Sequence, residues 1–455
     1  MLLFELRRFY RRFPLIGEQN GNQIERSHFA APFGNSKSPR VSLRRGLYNS
    51  CMKIICIGAG ASGLFYALWA ARFGHDVLLL ESNEKAGKKM YITGKGRCNV
   101  TNDSSVKEHI QNVVRNPKFL YSAFSKWNAE DTIAFFNDRG CPLKTERGNR
   151  VFPVSDKASD VINCLWSECK KAGVRIQYRE RVQSAAKENG RFVVKTMHGG
   201  YESDLLVIAT GGKSYPQTGS TGDGYSFAKA FGHQIVYPVA SLCPILIQEK
   251  PSRDMLDLTL KNVSLTAENA SFKKSLFGDL EFLPNAVSGP IALTMSSLIN
   301  RVGKVALSLD FKPALDEEKL NNRILREVAG APNKDIRFLL STMLPMAMLD
   351  FFFAKVNFDQ GQALNSLTKE QRKILVASLK RFPLTFLGLD SIEKGIVTSG
   401  GVLVDEVNAK SMESKLVPGL YFIGEVLDVD AFTGGFNMQI AFSTAYAAAS
   451  ALNGF

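Results

Sequence analysis

Histidine is scarce in this chain, and its placement excludes the common protein metal sites. The 455 residues include five histidines, none after position 233, and no HxH or HExxH pair. Zinc centres and metallohydrolases depend on such spacings. We therefore expect no bound metal, and no side chain is predicted as a catalytic acid or base.

Cysteine is sparse as well. The seven cysteines are odd in number, scattered and without a CxxC pair, at positions 51, 56, 98, 141, 164, 169 and 243. A disulfide framework or a dithiol redox centre needs paired cysteines. This usage fits a reducing compartment, and the sequence predicts a cytoplasmic protein.

Long apolar runs are also missing. The longest, residues 343–353, is interrupted by Pro345 and Asp350 and falls short of the about 18 residues that indicate a membrane-spanning helix. With 45% hydrophobic residues, the chain can still bury a large core. We expect a soluble protein of two or three domains, without a membrane partner.

The net charge of +14 is concentrated at the amino terminus. Residues 1–51 carry nine Lys or Arg and three Glu, which leaves +8 for the rest of the chain. A modest basic excess spread over that length is typical of solvated surface rather than of a phosphate-binding stripe. Nucleic acid is therefore not expected as a partner.

Residues 1–51 show neither helical nor strand periodicity and are predicted to be an unstructured basic arm. Three interpretations are open: a misassigned start that should lie at Met52, an organellar transit peptide, or a genuine tail. Glu5, Glu18 and Glu25 weaken the second interpretation, because transit peptides are poor in acids. Since the first strand begins directly after Met52, we favour the misassigned start.

The regular part of the chain opens with a strand, a glycine turn, a helix and a second strand, which predicts a βαβ unit. Their sequences are KIICIG, ASGLFYALWAARFG and DVLLLE. Between residues 214 and 390 the pattern changes to alternating strands followed by helical sequence. The predicted organisation is an α/β domain at 52–213 and 391–455, interrupted by a substrate-side insertion at 214–390, with a β part at about 214–314 and a helical part at about 315–390.

Gly58, Gly60 and Gly63 form a GxGxxG motif between the first strand and the first helix. There the first glycine allows a tight turn, the second lets the backbone approach a pyrophosphate, and the third lets the helix pack on the strand. Glu81 ends the second strand and can accept hydrogen bonds from ribose hydroxyls. The motif predicts a dinucleotide site, but it does not separate NAD from FAD.

Two further segments favour FAD. Residues 82–102 (SNEKAGKKMYITGKGRCNVTN) are polar and glycine-punctuated, where an NAD domain would continue into its next helix. Near the carboxyl terminus, a strand ending in Gly424 and Glu425 precedes Gly434 and Gly435 at a helix start. The acid can hydrogen-bond a ribityl hydroxyl, and the helix start can stabilise negative charge on the reduced ring. We therefore predict FAD as the cofactor, with NAD(P)H as a possible transient co-substrate.

From Met52 to its end, the chain resembles the bacterial flavoprotein family of NAD(P)/FAD-dependent oxidoreductases, or aminoacetone-oxidase-like enzymes. The motifs that carry the resemblance are IGAGASGL (57–64), TGKGRCNVTN (93–102), ATGGKSYPQTGSTGDGY (209–225), VSGP (287–290), TSGGV (398–402) and MESKLVPGLYFIGEVLDVDAFTGGFNMQIAFSTAYAA (412–448). The resemblance implies an α/β fold in which a discontinuous, glutathione-reductase-like FAD-binding Rossmann domain is interrupted by a mainly antiparallel β domain and a helical subdomain.

The motifs and the resemblance together give a set of candidate cofactor-binding residues. They are Gly58, Gly60, Ser62, Gly63, Glu81, Ser82, Lys88, Gly94, Arg97, Cys98, Asn99, Val182, Gly211, Gly424, Glu425, Gly434, Gly435, Asn437 and Gln439. Cys98 is expected to pack beneath the cofactor rather than to react. Before Ser288 the chain reads LPNAV where relatives often have a Thr-His pair, so no histidine role is carried over.

The sequence therefore predicts an FAD-dependent oxidoreductase. It would transfer hydride at flavin N5 between a small organic substrate and NAD(P)H or oxygen. A flavin-dependent RNA-modifying or RNA-binding protein is the alternative, motivated by the net charge, and a flavin-binding scaffold or sensor without turnover is a third. The substrate, the choice among NADH, NADPH and oxygen, and the oligomeric state stay open.

Overall fold

The computed structural model describes residues 51–256, 258–356 and 358–453. The predicted basic arm lies outside the described residues, apart from Cys51. Within the described ranges, no helix has both the length and the apolar character needed to cross a membrane.

The described part of the chain contains twenty strands and twelve α-helices. The strands are β1 (Lys53–Ile57), β2 (Asp76–Leu80), β3 (Thr101–Asn102), β4 (Leu143–Glu146), β5 (Arg150–Pro153), β6 (Arg175–Gln177), β7 (Val182–Glu188), β8 (Arg191–Thr196), β9 (Gly200–Ser203), β10 (Leu205–Ile208), β11 (Ile235–Ser241), β12 (Ile245–Ile247), β13 (Thr259–Glu268), β14 (Lys273–Leu283), β15 (Ala286–Ser288), β16 (Ala306–Asp310), β17 (Phe382–Leu384), β18 (Phe386–Leu389), β19 (Val397–Val402) and β20 (Leu420–Phe422). The helices are α1 (Ala61–Arg72), α2 (Val106–Gln111), α3 (Tyr121–Lys126), α4 (Ala129–Asn137), α5 (Ala158–Lys171), α6 (Asp223–Ala230), α7 (Pro290–Ile299), α8 (Glu317–Gly330), α9 (Ile336–Ser341), α10 (Leu349–Phe353), α11 (Lys369–Lys380) and α12 (Phe436–Ala451).

A five-stranded parallel sheet organises the first core. Its order is β20–β10–β1–β2–β6, and each neighbouring pair runs parallel. Strands β1, β2 and β10 are almost wholly apolar and buried, as expected of parallel strands covered on both faces. Because β20 pairs with β10, the sheet combines segments from both ends of the chain. The predicted Rossmann-type α/β fold is confirmed.

Helices α1 and α12 pack against each other within this core. The ring centroids of Phe65 and Phe442 lie 5.0 Å apart, and those of Trp69 and Tyr446 lie 5.1 Å apart. Burying an aromatic side chain fully contributes roughly 1.5–3 kcal/mol. The early and late parts of the sequence therefore stabilise each other through α1, the helix that begins within the glycine motif.

A seven-stranded antiparallel sheet forms a second core, in the order β17–β16–β13–β14–β15–β12–β18. Its buried side chains come from residues between Ile245 and Leu384, and helices α7–α11 contribute to it. Phe351, Phe352 and Phe353 of α10 are all buried there. This phenylalanine run is therefore part of the second core.

Strands β11 and β19 carry the chain into and out of the second core. They pair antiparallel, so the two connections run side by side. At the end of β11, the Ser241 hydroxyl lies 2.8 Å from both Ser297 Oγ of α7 and Asp430 Oδ2. Helix α6 falls inside the interval proposed for the insertion, but its Tyr225 and Phe227 pack in the first core.

Candidate functional site

A long cleft runs from the glycine motif to the antiparallel sheet. It is lined by the turn after β1, by residues 80–102, by the carboxyl-terminal loop before α12, and by β14. Its volume is about 1430 Å³, whereas ordinary small-molecule pockets hold roughly 300–1,000 Å³. The cleft therefore has room for an extended cofactor and a second ligand.

The glycine motif forms the tight turn that its spacing predicts. Gly58 has φ +105°, and a Cβ there would lie 2.6 Å from the carbonyl oxygen of Ala209 on the neighbouring strand connection. A Cβ at Gly63 would lie 1.8 Å from the oxygen of Gly58, so only glycine lets α1 approach the turn. By contrast, a Cβ at Gly60 would meet no described atom within 4 Å. The backbone at Gly60 is therefore accessible to a ligand.

Glu81 braces this turn from the end of β2. Its Oε2 accepts a hydrogen bond from the Ala59 backbone N–H at 2.8 Å. Its Oε1 accepts from the backbone N–H and the side-chain amide of Asn83, at 2.8 and 2.7 Å. The carboxylate is thus fixed at the wall of the cleft, beside the glycine motif.

The loop before α12 reaches the cleft from the other end of the sequence. Asn102 Nδ2 donates to the Gly434 carbonyl at 2.9 Å. With the Asn99 side-chain amide in the orientation that satisfies its neighbours, its oxygen accepts from the Gly435 N–H at 3.0 Å. Gly435 has φ +103°, and a Cβ there would lie 2.3 Å from the Thr101 carbonyl. This close approach of two backbones requires glycine and presents the first turn of α12 to the cleft.

An ion pair joins the two ends of the chain inside the cleft. Lys89 Nζ lies 2.8 Å from Glu425 Oε2 and also donates to Ser214 Oγ at 2.7 Å. Glu425 Oε1 further accepts from the Thr398 backbone N–H at 2.9 Å. The sequence predicted Glu425 but not Lys89 as a site residue. Lys88, which it did predict, also lines the cleft and lies near Asn83.

Most of the predicted cofactor-side residues line this one cleft. They are Gly58, Gly60, Ser62, Glu81, Ser82, Lys88, Gly94, Arg97, Asn99, Val182, Gly211, Glu425, Gly434, Gly435 and Asn437. Asn437 also anchors the preceding loop, since its side chain hydrogen-bonds both the N–H and the carbonyl of Ala431. Arg97 pairs with Glu146 and Asp156 at the cleft wall.

The other four predicted residues lie behind the lining. Gly63 and Gly424 make close backbone approaches, and a Cβ at Gly424 would lie 2.6 Å from Ser62 Oγ. Gln439 is buried and hydrogen-bonds Thr101 at 2.6 Å. Cys98 is fully buried, and this burial raises the pKa of its thiol to about 12. A thiol that stays protonated is a poor nucleophile, which agrees with a packing role.

An FAD molecule fits these features. The first turns of α1 and α12 both border the cleft, and helix N-termini favour anionic groups. The same cleft offers open space at Gly60, a fixed carboxylate at Glu81 and a second helix start at Gly435, which are groups that a dinucleotide cofactor would use. Among the described residues, no group of three or more His, Cys, Asp or Glu side chains could hold a metal ion.

At its second-core end, the cleft is lined by side chains of β14. Phe277, Asp279 and Glu281 occupy alternate positions of β14 and all line the cleft, whereas Leu280 and Phe282 are buried in the core. Alternation with period two places such residues on one face of a strand. These residues are absent from the predicted site residues, although the alternation in KKSLFGDLEFL signals them.

Comparison with known proteins gives relatives that match nearly their full length. The chain is 31% identical over 404 residues to a ribosomal RNA dihydrouridine synthase from Haemophilus influenzae, covering 88% of this chain and 98% of the relative. It is 32% identical over 403 residues to a ribosomal RNA dihydrouridine synthase from Escherichia coli, covering 88% and 97%. A 3-dehydro-bile acid delta(4,6)-reductase from Clostridium scindens is 28% identical over 412 residues, covering 88% and 98%.

Among solved structures, a 3-ketosteroid-delta4-(5alpha)-dehydrogenase from Rhodococcus jostii RHA1 superimposes with a TM-score of 0.46 and 16% identity, covering 90% of this chain and 99% of that one. The model of the HI0933-like protein Rossmann domain family matches residues 52–451. This match spans both ends of the parallel sheet and the whole second core, and the chain belongs to the HI0933-like family.

Proposed function

We propose that this protein is an FAD-dependent reductase that adds hydrogen across the C5=C6 double bond of uracil in ribosomal RNA, forming dihydrouridine. The observation that carries the proposal is the similarity to two ribosomal RNA dihydrouridine synthases over 97–98% of their length. The modest basic charge of the chain favoured a small substrate, whereas the similarity to these relatives supports RNA.

The reactions named for these relatives act on the same kind of bond. In uracil, the C5=C6 bond is conjugated with the C4 carbonyl, so hydride adds at C6 and a proton adds at C5. The name of the bile acid relative likewise denotes reduction of double bonds in a 3-keto compound. An electron-poor carbon–carbon double bond is the common target.

FAD bound in the cleft would supply the hydride at N5 and be reduced again by NAD(P)H. The Gly58–Gly63 turn and the first turn of α1 would hold the pyrophosphate, and Glu81 the adenosine ribose. Glu425, kept in place by Lys89, would meet the ribityl chain. The start of α12 would stabilise negative charge near the pyrimidine edge of the ring.

A small conjugated ketone is the second candidate substrate, favoured by the bile acid relative at 28% identity. The resemblance to aminoacetone-oxidase-like enzymes adds oxidation of a small amine as a third reaction. Both alternatives would use the same cofactor cleft, with a different substrate beside the flavin.

The proposal is tested by incubating the FAD-loaded protein with NADH or NADPH and unmodified ribosomal RNA, then measuring dihydrouridine by mass spectrometry of the nucleosides. Parallel reactions contain a panel of conjugated ketones or small amines. We expect dihydrouridine in the RNA reaction, dependent on FAD. Turnover of a ketone or amine without any RNA product would refute the proposed substrate.

A further inference from the structure

We infer that the second-core end of the cleft is a receiving site for a nucleobase, with Phe277 as a stacking platform and Arg147 and Lys95 as phosphate contacts at the rim. The occupant would be an unpaired, uridine-containing segment of structured RNA. The inference rests on the proposed function for the identity of the base, and it adds where the RNA binds.

Phe277 is exposed to an unusual extent for a residue of a cleft wall. The residue is 64% exposed, whereas Leu280 and Phe282, on the opposite face of β14, are buried in the core. A β-bulge in β13, between Leu260 and Val263, lies opposite Asp279, two residues further along β14, and Asn262 within it has φ +57°. Bulges re-aim side chains and are common beside active sites. An exposed aromatic ring in this position can stack on a nucleobase, as aromatic side chains do in single-strand RNA recognition.

Two carboxylates follow Phe277 on the same face of β14. Asp279 Oδ1 accepts a hydrogen bond from the Asn262 backbone N–H at 3.3 Å. The Glu281 carboxylate has no hydrogen-bond or ion-pair partner in the described part of the chain. Uracil carries an N3–H donor on its Watson–Crick edge, and cytosine has an acceptor there. The free Glu281 carboxylate on the cleft wall can accept a hydrogen bond from this N3–H.

Two positively charged side chains line the same cleft. Arg147, in the turn between β4 and β5, and Lys95 are exposed and line the cleft. Their side chains have no ion-pair partner among the described residues, unlike Arg97, which pairs with Glu146 and Asp156. Unpaired Lys and Arg side chains are the groups that contact the RNA backbone. Arg147 and Lys95 can thus contact phosphates of a bound RNA.

The geometry of the substrate also requires such a site. A uracil inside an RNA helix is stacked and paired, so its C5=C6 bond is shielded from a buried cofactor. Enzymes that act on a base use unpaired substrate or extrude the base, at a cost of a few kcal/mol. A stacking surface at the mouth of the cleft would offset that cost.

Binding measurements on the FAD-loaded protein test the inference. The RNA is a hairpin with one loop uridine, and a fully paired duplex of the same length is the comparison. Phe277→Ala should raise the hairpin Kd about tenfold, equivalent to ~1.4 kcal/mol. Phe277→Trp should restore binding, whereas Phe277→Leu, which keeps apolar bulk without a π face, should not. Arg147→Gln should reduce the salt dependence of binding by about one phosphate contact.

Matched controls exclude general effects of lost surface groups. Phe338 is an exposed aromatic residue of helix α9, and Arg326 is an exposed arginine of α8; neither lines the cleft. Phe338→Ala and Arg326→Gln should leave the hairpin Kd and the salt slope unchanged. FAD content and reduction by NAD(P)H should stay at the wild-type level in all variants.

The outcomes separate the inference from the proposed function. If the wild-type protein forms dihydrouridine but Phe277→Ala binds the hairpin as tightly as wild type, the inference is overturned and the function stands. If the hairpin binds in a Phe277-dependent manner but no RNA is reduced, the inference stands and the function fails. A wild-type protein that binds no RNA, or that binds the duplex equally well, also overturns the inference.

Discussion

Replacing Asp430 by asparagine should change how folding stability depends on pH. Asp430 is fully buried at the junction of the two cores and accepts a hydrogen bond from Ser241 at 2.8 Å. Burial raises the pKa of its carboxyl group from 3.8 to about 6, with a smaller increase from the Asp428 charge. The Ser241 and Ser399 hydroxyls and the Arg115 charge oppose this increase.

The sign of the effect follows from proton linkage. Between about pH 4 and pH 6, the folded protein keeps the Asp430 proton while the unfolded chain has lost it. The free energy of unfolding therefore falls as the pH rises through this window. With ~1.36 kcal/mol for each pKa unit, the complete effect is about 3 kcal/mol. Between about pH 5 and pH 8, where the unfolded chain is already ionised, about 1.4 kcal/mol remains.

Urea unfolding of the FAD-saturated protein, followed by tryptophan fluorescence, measures this difference. Relative to wild type, Asp430→Asn should gain about 1.4 kcal/mol between pH 5 and pH 8, because asparagine carries no charge to bury. Asp138→Asn changes an exposed carboxylate and should show no such gain. An Asp430→Asn variant whose stability relative to wild type stays constant or falls over this range would refute the reasoning.

Three further perturbations address the cofactor cleft. Glu81→Ala should lower the fraction of protein purified with FAD, read from the flavin-to-protein absorbance ratio, and full occupancy would count against its role. Gly435→Ala should lose FAD and destabilise the fold by about 1–3 kcal/mol, because its Cβ would lie 2.3 Å from the Thr101 carbonyl; an unshifted unfolding midpoint would contradict this. In a double-mutant cycle, Lys89→Met and Glu425→Gln should couple by about 1 kcal/mol, and additive effects on unfolding would mean that the ion pair contributes no net stability.

Local patterns in the sequence were sufficient to predict the Rossmann-type part of the fold. The βαβ opening was predictable because a buried apolar strand, the GxGxxG turn and Glu81 all lie within 30 residues. The closing strand β20 and helix α12 carried equally strong short-range signals. Their convergence on one cleft with Gly58 followed from the resemblance, and the structure places Glu425, which follows β20, and the first turn of α12 at its wall.

Long-range contacts were not predictable in the same way. Lys88 and Lys89 are adjacent, and no local pattern tells which of them meets Glu425, 336 positions after Lys89. Whether the face of β14 that carries Phe277 borders the cleft depends on how the second core docks on the first, which sequence alternation alone does not determine. Helix α6 is a second example. The glycine-rich segment before it gave no indication that this helix packs in the first core.

An anaerobic single-turnover experiment tests the central claim most directly. The FAD-loaded protein is reduced with NAD(P)H, freed of excess nucleotide, and mixed with unmodified ribosomal RNA while the flavin absorbance is followed. The account predicts that the absorbance of oxidised flavin returns and that about one dihydrouridine forms for each flavin reoxidised. Flavin that stays reduced in the presence of this RNA, yet is reoxidised by a conjugated ketone, would contradict it.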